Sequence, residues 1–473
     1  MSVTMDLSAA SRAMSGTLLG DNLTFTGVST DSRQISAGEL FIALRGNNYD
    51  GHAFLALARE CGAVAAVVAA DATEAIKVGE ASGFPLIVVA DTRLGLGALA
   101  ADWRSRFTLP LIAVTGSNGK TTTKEMIASI LKAAYGETVL ATQGNFNNDV
   151  GLPLTLLKLN AGHRAAILEL GMNHPGEIAY LARLAQPTVA LVTNVQRAHL
   201  AGLGSLAAIA AEKGSIFESL TEEGIAVFNA VDEWAKLWRE QSSGRRTMTF
   251  ALEFAADVRG KCSLHGLETQ LVVSACGEQV EVNLALPGVH NARNAVAAAA
   301  AALASGLSLA VVREGLSAFR GVKGRLQRRV GLNGAALLDD TYNANPDSVR
   351  AGIDVLAATI GKKILVLGDM GELGWMAGQF HDEIGGYAKS QGVDRLFAFG
   401  ESSQLAARNF GAGGRHFKKI EDLILALVDQ RNPELTPETT VLVKGSRYMR
   451  MERVVDAIDA NSFAPQVEGE TCC

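Results

Sequence analysis

The run Val114-Thr115-Gly116-Ser117-Asn118-Gly119-Lys120-Thr121-Thr122-Thr123 constrains this chain more than any other stretch. It follows the apolar segment Leu111–Thr115, which reads as a buried strand, and precedes residues 124–135, whose apolar positions recur at helical spacing. A glycine-rich turn between strand and helix lets backbone N–H groups converge on phosphate oxygens, and the helix N-terminus adds positive potential. In that setting Lys120 reaches the β- and γ-phosphates of a nucleotide, and the Thr121 hydroxyl meets Mg²⁺. The motif departs from the common phosphate loop in one respect. Five residues before Gly119 stands Val114 instead of glycine, so this is the shorter TGSNGKT form, with glycine at 116. A plain strand–helix turn carrying a solvent-exposed lysine is the alternative, and the context favours the phosphate loop. A guanine-nucleotide switch would carry an NKxD-type string, and none is found.

A chain of 473 residues exceeds one ordinary hydrophobic core and fits about three domains. Residues 1–84 alternate short apolar runs with turns, with strands expected at 40–43 and 64–69 and a helix at 54–60, a small α/β unit. Residues 85–322 begin with a strand at 86–90 and a helix through Arg106, then continue through Leu111–Thr115 and strands at 166–170 and 189–194. This alternation with helical segments predicts a mostly parallel sheet covered on both faces. Residues 323–473 repeat the alternation, with strands at 335–340, 364–368, 396–400 and 441–444, and predict a doubly wound, Rossmann-like sheet. The tail after Phe463 carries no periodic pattern.

Charge and cysteines narrow the function classes. With 43 basic and 49 acidic residues the net charge is −6, which argues against general nucleic-acid binding through phosphate neutralisation. Cys61, Cys262, Cys276, Cys472 and Cys473 form no CxxC pair and no metal or disulfide framework, as expected in a reducing cytosol. The N-terminus carries Asp6 and lacks a basic flank followed by an apolar run, so no signal peptide is expected. Residues 295–312 are the longest uncharged stretch. They are mostly alanine and are interrupted by Ser305, Gly306 and Ser308, which reads as a packed helix and a turn, not a membrane span. A cytoplasmic monomer is expected.

One carboxylate stands out on its own terms. Glu169 follows the apolar run Ala165–Leu168, and the carboxyl end of a central strand is well placed to meet Mg²⁺ beside a nucleotide. A structural ion pair is the plainer reading.

The short phosphate loop, with nearly the whole chain, resembles the Mur ligase family, to which the folylpolyglutamate synthases also belong. Residues 29–52 (STDSRQISAGELFIALRGNNYDGH) look like the uridine-nucleotide domain of that family. Four more strings, GNFNNDVGLPLTLL (144–157), LELGMNHPGEI (168–178), DDTYNANPDS (339–348) and LGDMGELG (367–374), are similar to its D-alanyl-D-alanine-adding branch. The diaminopimelate-adding branch usually carries DNPR, where this chain reads YNANPDS.

The resemblance implies three domains that bind a UDP-substrate, bind ATP, and help hold an incoming dipeptide. It implies ATP-dependent ligation of D-alanyl-D-alanine to UDP-N-acetylmuramoyl-tripeptide through an acyl phosphate. It further implies two Mg²⁺ ions held by Thr121, Glu169, His199 and a CO₂-carbamylated Lys213, which lies 14 residues after His199. The family string after that lysine is glycine-glutamate-isoleucine, whereas here it is Gly214-Ser215-Ile216. By the same likeness Thr115 to Thr122 hold the nucleotide phosphates, Asn291 and Asn294 in the HNxxN segment meet adenine, and Arg325 and Asp340 approach the nucleotide from the C-terminal block. Thr30, Asp31, Ser32 and Arg33 are expected at the uridine diphosphate, and Asn145, Asn147 and Asn148 along the muramoyl-peptide channel. Tyr342, Asn343 and Asn345 are expected in the active cleft, with Lys444 to Arg447 as a late basic turn. Helix capping, ion pairing and turn formation are the plainer roles for the same residue types.

Overall fold

The computed structural model describes residues 3–46, 48–197, 200–429 and 434–463. Three large sheets are formed from the apolar runs, beside a small antiparallel pair of Met5–Asp6 with Thr24–Phe25. The first has five strands in the order Thr17–Leu19, Leu86–Val89, Ala65–Ala69, Leu40–Ile42 and Val28–Ser29, parallel except for Thr17–Leu19 at the edge. Leu86–Val89 therefore completes the N-terminal sheet, and a division after residue 84 cuts through that sheet. Four consecutive apolar residues mark a buried strand but carry no sign of which sheet receives them. The chain leaves the first unit through the helix Thr92–Ser105, capped by the Asp91 carboxylate, which accepts from the Arg93 and Leu94 N–H groups.

The central sheet has nine strands. From Val139–Ala141 it runs through Ala165–Glu169, Leu111–Thr115, Val189–Val192, Ile225–Asn229, Arg246–Leu252 and Val258–His265, all parallel. Glu268–Ala275 and Glu278–Leu284 then extend it in antiparallel fashion. That hairpin extension escapes a reading based on helix–strand alternation. Cys276 and Gly277 both take positive φ (52° and 82°), the two-residue turn that matches strand twist.

Leu111–Thr115 lies between strands that come later in the chain, so its carboxyl end opens a crevice. Register places Glu169 beside Val114 and Val192 beside Thr115, which brings three loop starts to one edge. The helix after the phosphate loop begins at Lys120 and not four residues later, because Gly119 takes a left-handed φ of 79° and turns the chain straight into it.

The alanine-rich stretch divides at Ser305 and Gly306 into the helices Val289–Ala304 and Leu309–Ala318. Ala292 and Ala295–Ala302 are all buried, and their small side chains let the helix seat closely on the sheet. No helix among the described residues is long and apolar enough to cross a membrane. Gly315 on the second helix approaches the helix Lys120–Tyr135 so closely that an added Cβ would fall on the Ile130 backbone. Gly315→Ala is expected to destabilise the central unit by about 1–3 kcal/mol through overpacking, seen as a lower urea midpoint. An unchanged midpoint would show that the two helices separate without cost.

The third sheet runs Gln327–Val330, Ala336–Asp340, Thr439–Lys444, Lys362–Gly368, Arg395–Phe399 and Gly414–Phe417, parallel except for its first strand. The carboxyl ends of Ala336–Asp340 and Thr439–Lys444 lie side by side, Asp340 against Lys444, and meet the crevice of the central sheet. The α/β architecture expected from the strand–helix alternation is the one observed.

Candidate active site

A cavity of about 1650 Å³ lies between the sheets and draws its lining from all three blocks of the chain. Ser117, Asn118, Gly119, Lys120, Thr121 and Thr122 face it from the phosphate loop, with Asn145, Asn147, Asn148 and Glu169 beside them. Asn291 and Asn294 enter from the alanine-rich helix, and Arg325, Asp340, Tyr342, Asn343, Asn345 and Lys444 from the C-terminal sheet. Thr115 and Gly116 lie behind the loop and do not line it. Gly116 cannot carry a side chain, since a Cβ there would collide with Thr193 Oγ1. At Gly119 the obstacle is the Asn294 amide.

Lys120 starts its helix with Nζ donating to the carbonyls of Gly116 (2.6 Å) and Ser117 (3.2 Å). Burial lowers its pKa, helped by Arg325 and opposed by Glu169 and Glu372. Lys213 is only 1% exposed. Burial, reinforced by the like charge of Lys120, pushes its pKa well below the usual range against the pull of Glu212. The serine that follows Gly214 does not disturb this lysine's helix, for Ser215 Oγ turns back to the Glu212 carbonyl (2.7 Å). His199 lies outside the described residues.

Glu169 is buried, with Oε1 accepting from Asn147 Nδ2 at 2.8 Å and Oε2 accepting no hydrogen bond among the described residues. A buried carboxylate oxygen without a donor fits a cation. Among the described residues no three His, Cys, Asp or Glu side chains converge into a metal cage. Mg²⁺ takes one or two carboxylates and completes its octahedron with phosphate oxygens and water.

On the C-terminal side, Arg325 Nη2 donates to Thr121 Oγ1 at 3.0 Å while its guanidinium lies 4.1 Å from the Tyr342 ring centre. Lys444 Nζ pairs with Asp340 Oδ2 at 2.5 Å and donates to the Asn343 carbonyl at 3.0 Å. Burial raises the Asp340 carboxyl's pKa, and Lys444 pulls it the other way. Asn148 Oδ1 accepts from the Gly151 N–H (2.8 Å), so one end of this cavity residue stabilises the following helix.

Four residues expected at the uridine diphosphate, Thr30, Asp31, Ser32 and Arg33, do not line this cavity. Asp31 caps the turn Ser32–Gln34, and Arg33 bonds back to it at 2.7 and 2.9 Å and holds its carboxyl down to about 2. A local i, i+2 pair satisfies both side chains at the surface. The N-terminal share of the lining comes instead from Arg45, Gly46, Asp91, Arg93 and Leu94.

Comparison with known proteins agrees with this architecture. Three family models match: "Mur ligase family, catalytic domain" over residues 24–104, "Mur ligase middle domain" over 114–302, and "Mur ligase, glutamate ligase domain" over 324–447. The Escherichia coli UDP-N-acetylmuramoyl-tripeptide--D-alanyl-D-alanine ligase is 39% identical, over 97% of this chain and 99% of that protein. The chain belongs to the Mur ligase family. Among solved structures, MurF from Acinetobacter baumannii superposes with a TM-score of 0.89 at 33% identity, covering 96% of this chain and 98% of that one. MurF from Thermotoga maritima in complex with ADP gives a TM-score of 0.77 at 27% identity, over 91% and 96%.

Several cavity residues of this Mur ligase escape sequence reading. Arg197 makes a forked ion pair with Asp347, Nη2 to Oδ1 at 2.5 Å and Nε to Oδ1 at 3.1 Å. The partners stand 150 residues apart, and neither was assigned a role in the sequence; Asp347 is an acid in the first turn of the helix Pro346–Ala357. Glu372, in the LGDMGELG string, lines the cavity from a left-handed φ of 61°. His290 of the HNxxN segment is pushed down to about 4, by burial first and then by Lys444 and Arg293. Its folded value lies below the 6.5 of an unfolded histidine. As pH falls from 6.5 toward 4 the unfolded chain takes up a proton that the folded chain refuses, so stability declines across that window and the term vanishes above it. The urea midpoint of His290→Asn is expected to depend less steeply on pH there than that of the wild type, and equal slopes would contradict the assignment.

Proposed function

We propose that this Mur ligase joins D-alanyl-D-alanine to UDP-N-acetylmuramoyl-tripeptide, using ATP and forming ADP and phosphate. One observation carries the reading: a phosphate loop with Lys120, a buried unsatisfied carboxylate at Glu169 and the edge of a second α/β sheet share one cavity, in a chain 39% identical to a ligase of that name over nearly its whole length.

The chemistry follows from what a carboxylate lacks. Resonance and negative charge make it a poor electrophile, and phosphorylation turns one oxygen into a leaving group. The terminal carboxylate of the tripeptide attacks the γ-phosphorus, and ADP leaves. The dipeptide amine then attacks the acyl carbon, and the tetrahedral intermediate expels phosphate. Phosphoryl transfer asks the protein for position and charge neutralisation more than for covalent help. Here the loop N–H groups and Lys120 hold the phosphates, Arg325 approaches from the other sheet, and Asn291 and Asn294 are the candidates for the adenine edge. Thr121 and Glu169 would hold Mg²⁺, with His199 and Lys213 as the proposed donors to a second ion. When bound, Mg²⁺ neutralises charge on the phosphate oxygens. Lys213 suits carbamylation because burial favours its neutral amine, the form that adds CO₂ and releases a proton. Asn145 and Asn147 stand where the muramoyl peptide would run, and Tyr342 and Asn343 where the dipeptide would enter. Thr30, Asp31, Ser32 and Arg33, whose turn lies outside this cavity lining, are the proposed contacts to the uridine diphosphate.

We place the enzyme in the cytoplasm, because Cys61, Cys262 and Cys276 stand unbridged as in a reducing compartment. We take it to act as a monomer. The neighbouring reading, a ligase that adds the third peptide residue, lacks its DNPR string. A non-catalytic ATP-binding scaffold would hold nucleotide at the same loop and release no ADP when the amine is added. ADP release with UDP-muramoyl-tripeptide tests the choice: D-alanyl-D-alanine should trigger it and single amino acids should not. Release with a single amino acid alone would move the enzyme to another branch.

A further inference from the structure

The phosphate loop and the C-terminal unit are joined by a pair of side-chain amides. The Asn118 backbone is fixed first. Its N–H donates to Asn194 Oδ1 at 3.0 Å, and its carbonyl accepts from Asn194 Nδ2 and Thr193 Oγ1, each at 2.9 Å. The loop conformation thus makes no demand on the Asn118 side chain, whose amide turns outward. Its Oδ1 accepts from Asn345 Nδ2 at 2.7 Å, and its Nδ2 donates to Gln196 Oε1 at 2.5 Å and to Asn345 Oδ1 at 3.3 Å. Asn345 is anchored on its own side as the cap of the helix Pro346–Ala357, with Oδ1 accepting from the Ser348 N–H at 2.9 Å. Two residues on, Asp347 takes the Arg197 guanidinium and the Arg197 N–H (2.9 Å). An amide presents a donor and an acceptor at once, so two facing amides satisfy each other where a hydroxyl, a charge or an apolar group would not.

We propose that Asn118 and Asn345 are positioning residues that hold the C-terminal unit against the phosphate loop while the acyl phosphate exists, so that the amine meets it before water does. The inference rests on the ligase reading above. The first half of the reaction needs the loop and the tripeptide carboxylate. The second half needs the amine, which the loops after Asp340 would present. A loosened joint therefore leaves phosphorylation possible and opens the intermediate to hydrolysis. Losing a net amide pair shifts the ratio of joined to separated states about tenfold.

The test compares ADP released with peptide formed. Asn345→Ser keeps a good cap and loses the reach to Asn118, while Asn118→Ala touches no cap and serves if the first variant folds poorly. The wild type should yield ADP and peptide in equal amounts. Each variant should release several ADP per peptide, and the double variant should be no worse than the poorer single one, because both remove the same contact. A merely structural role would slow both products together and leave their ratio unchanged, and that result in both single variants would overturn the proposal. A wild-type enzyme that forms no peptide with any amine would overturn the ligase reading, and this inference with it.

Discussion

Lys120→Met is expected to lower kcat by about 10²–10³-fold, the scale of losing one preorganised charge at a transition state. The thermal midpoint should move little. The native ammonium is half-buried against two loop carbonyls, and desolvation already lowers its pKa, so an apolar chain of similar length removes a costly charge along with two hydrogen bonds. ATP affinity should fall less than kcat, because the loop N–H groups still bind phosphate. Steady-state kinetics with both substrates saturating separates the two effects. A variant with normal kcat would remove this lysine from the chemistry.

Lys213→Ala should be nearly inactive, losing about 10²-fold or more as expected for loss of a group that orders a metal site. Short carboxylic acids such as acetate should restore part of the rate. The argument is electrostatic. A buried ammonium close to Lys120 would be doubly unfavourable, by desolvation and by like charge. Adding CO₂ to the neutral amine replaces that cation with an anion, which Lys120 and a metal ion both favour. Rescue by acids that fit the vacated space would report a missing carboxylate, and mass spectrometry under CO₂ would show the adduct directly. Normal activity without added acid would exclude the carbamate.

What the sequence discloses, and what it hides, follows from the range of each interaction. The strand–loop–helix around Lys120 was legible because all its parts are contiguous: an apolar run, two glycines at turn positions, and helical spacing after them. The strand Leu86–Val89 was legible as a strand but not as a member of the first sheet, since its partners at Thr17–Leu19 and Ala65–Ala69 are set by tertiary packing. The Asp31–Arg33 string is a different case: the sequence shows a polar turn, and the structure adds that Asp31 and Arg33 pair with each other outside the cavity lining. Asn345 was expected to face substrate and does line the cavity, while its amide is paired with Asn118 across 227 residues of sequence. No local pattern encodes a contact of that span, and the same holds for Arg197 with Asp347. Glu169 lies between these cases: its place at a strand end was readable, its unsatisfied oxygen was not.

The central claim is that a carboxylate oxygen of the muramoyl peptide becomes part of the departing phosphate. Tripeptide labelled with ¹⁸O in its terminal carboxylate, incubated with ATP, Mg²⁺ and D-alanyl-D-alanine, tests this in one turnover. The account predicts inorganic phosphate carrying a single ¹⁸O, with the other label retained in the new peptide carbonyl. Unlabelled phosphate appearing alongside coupled product would contradict it.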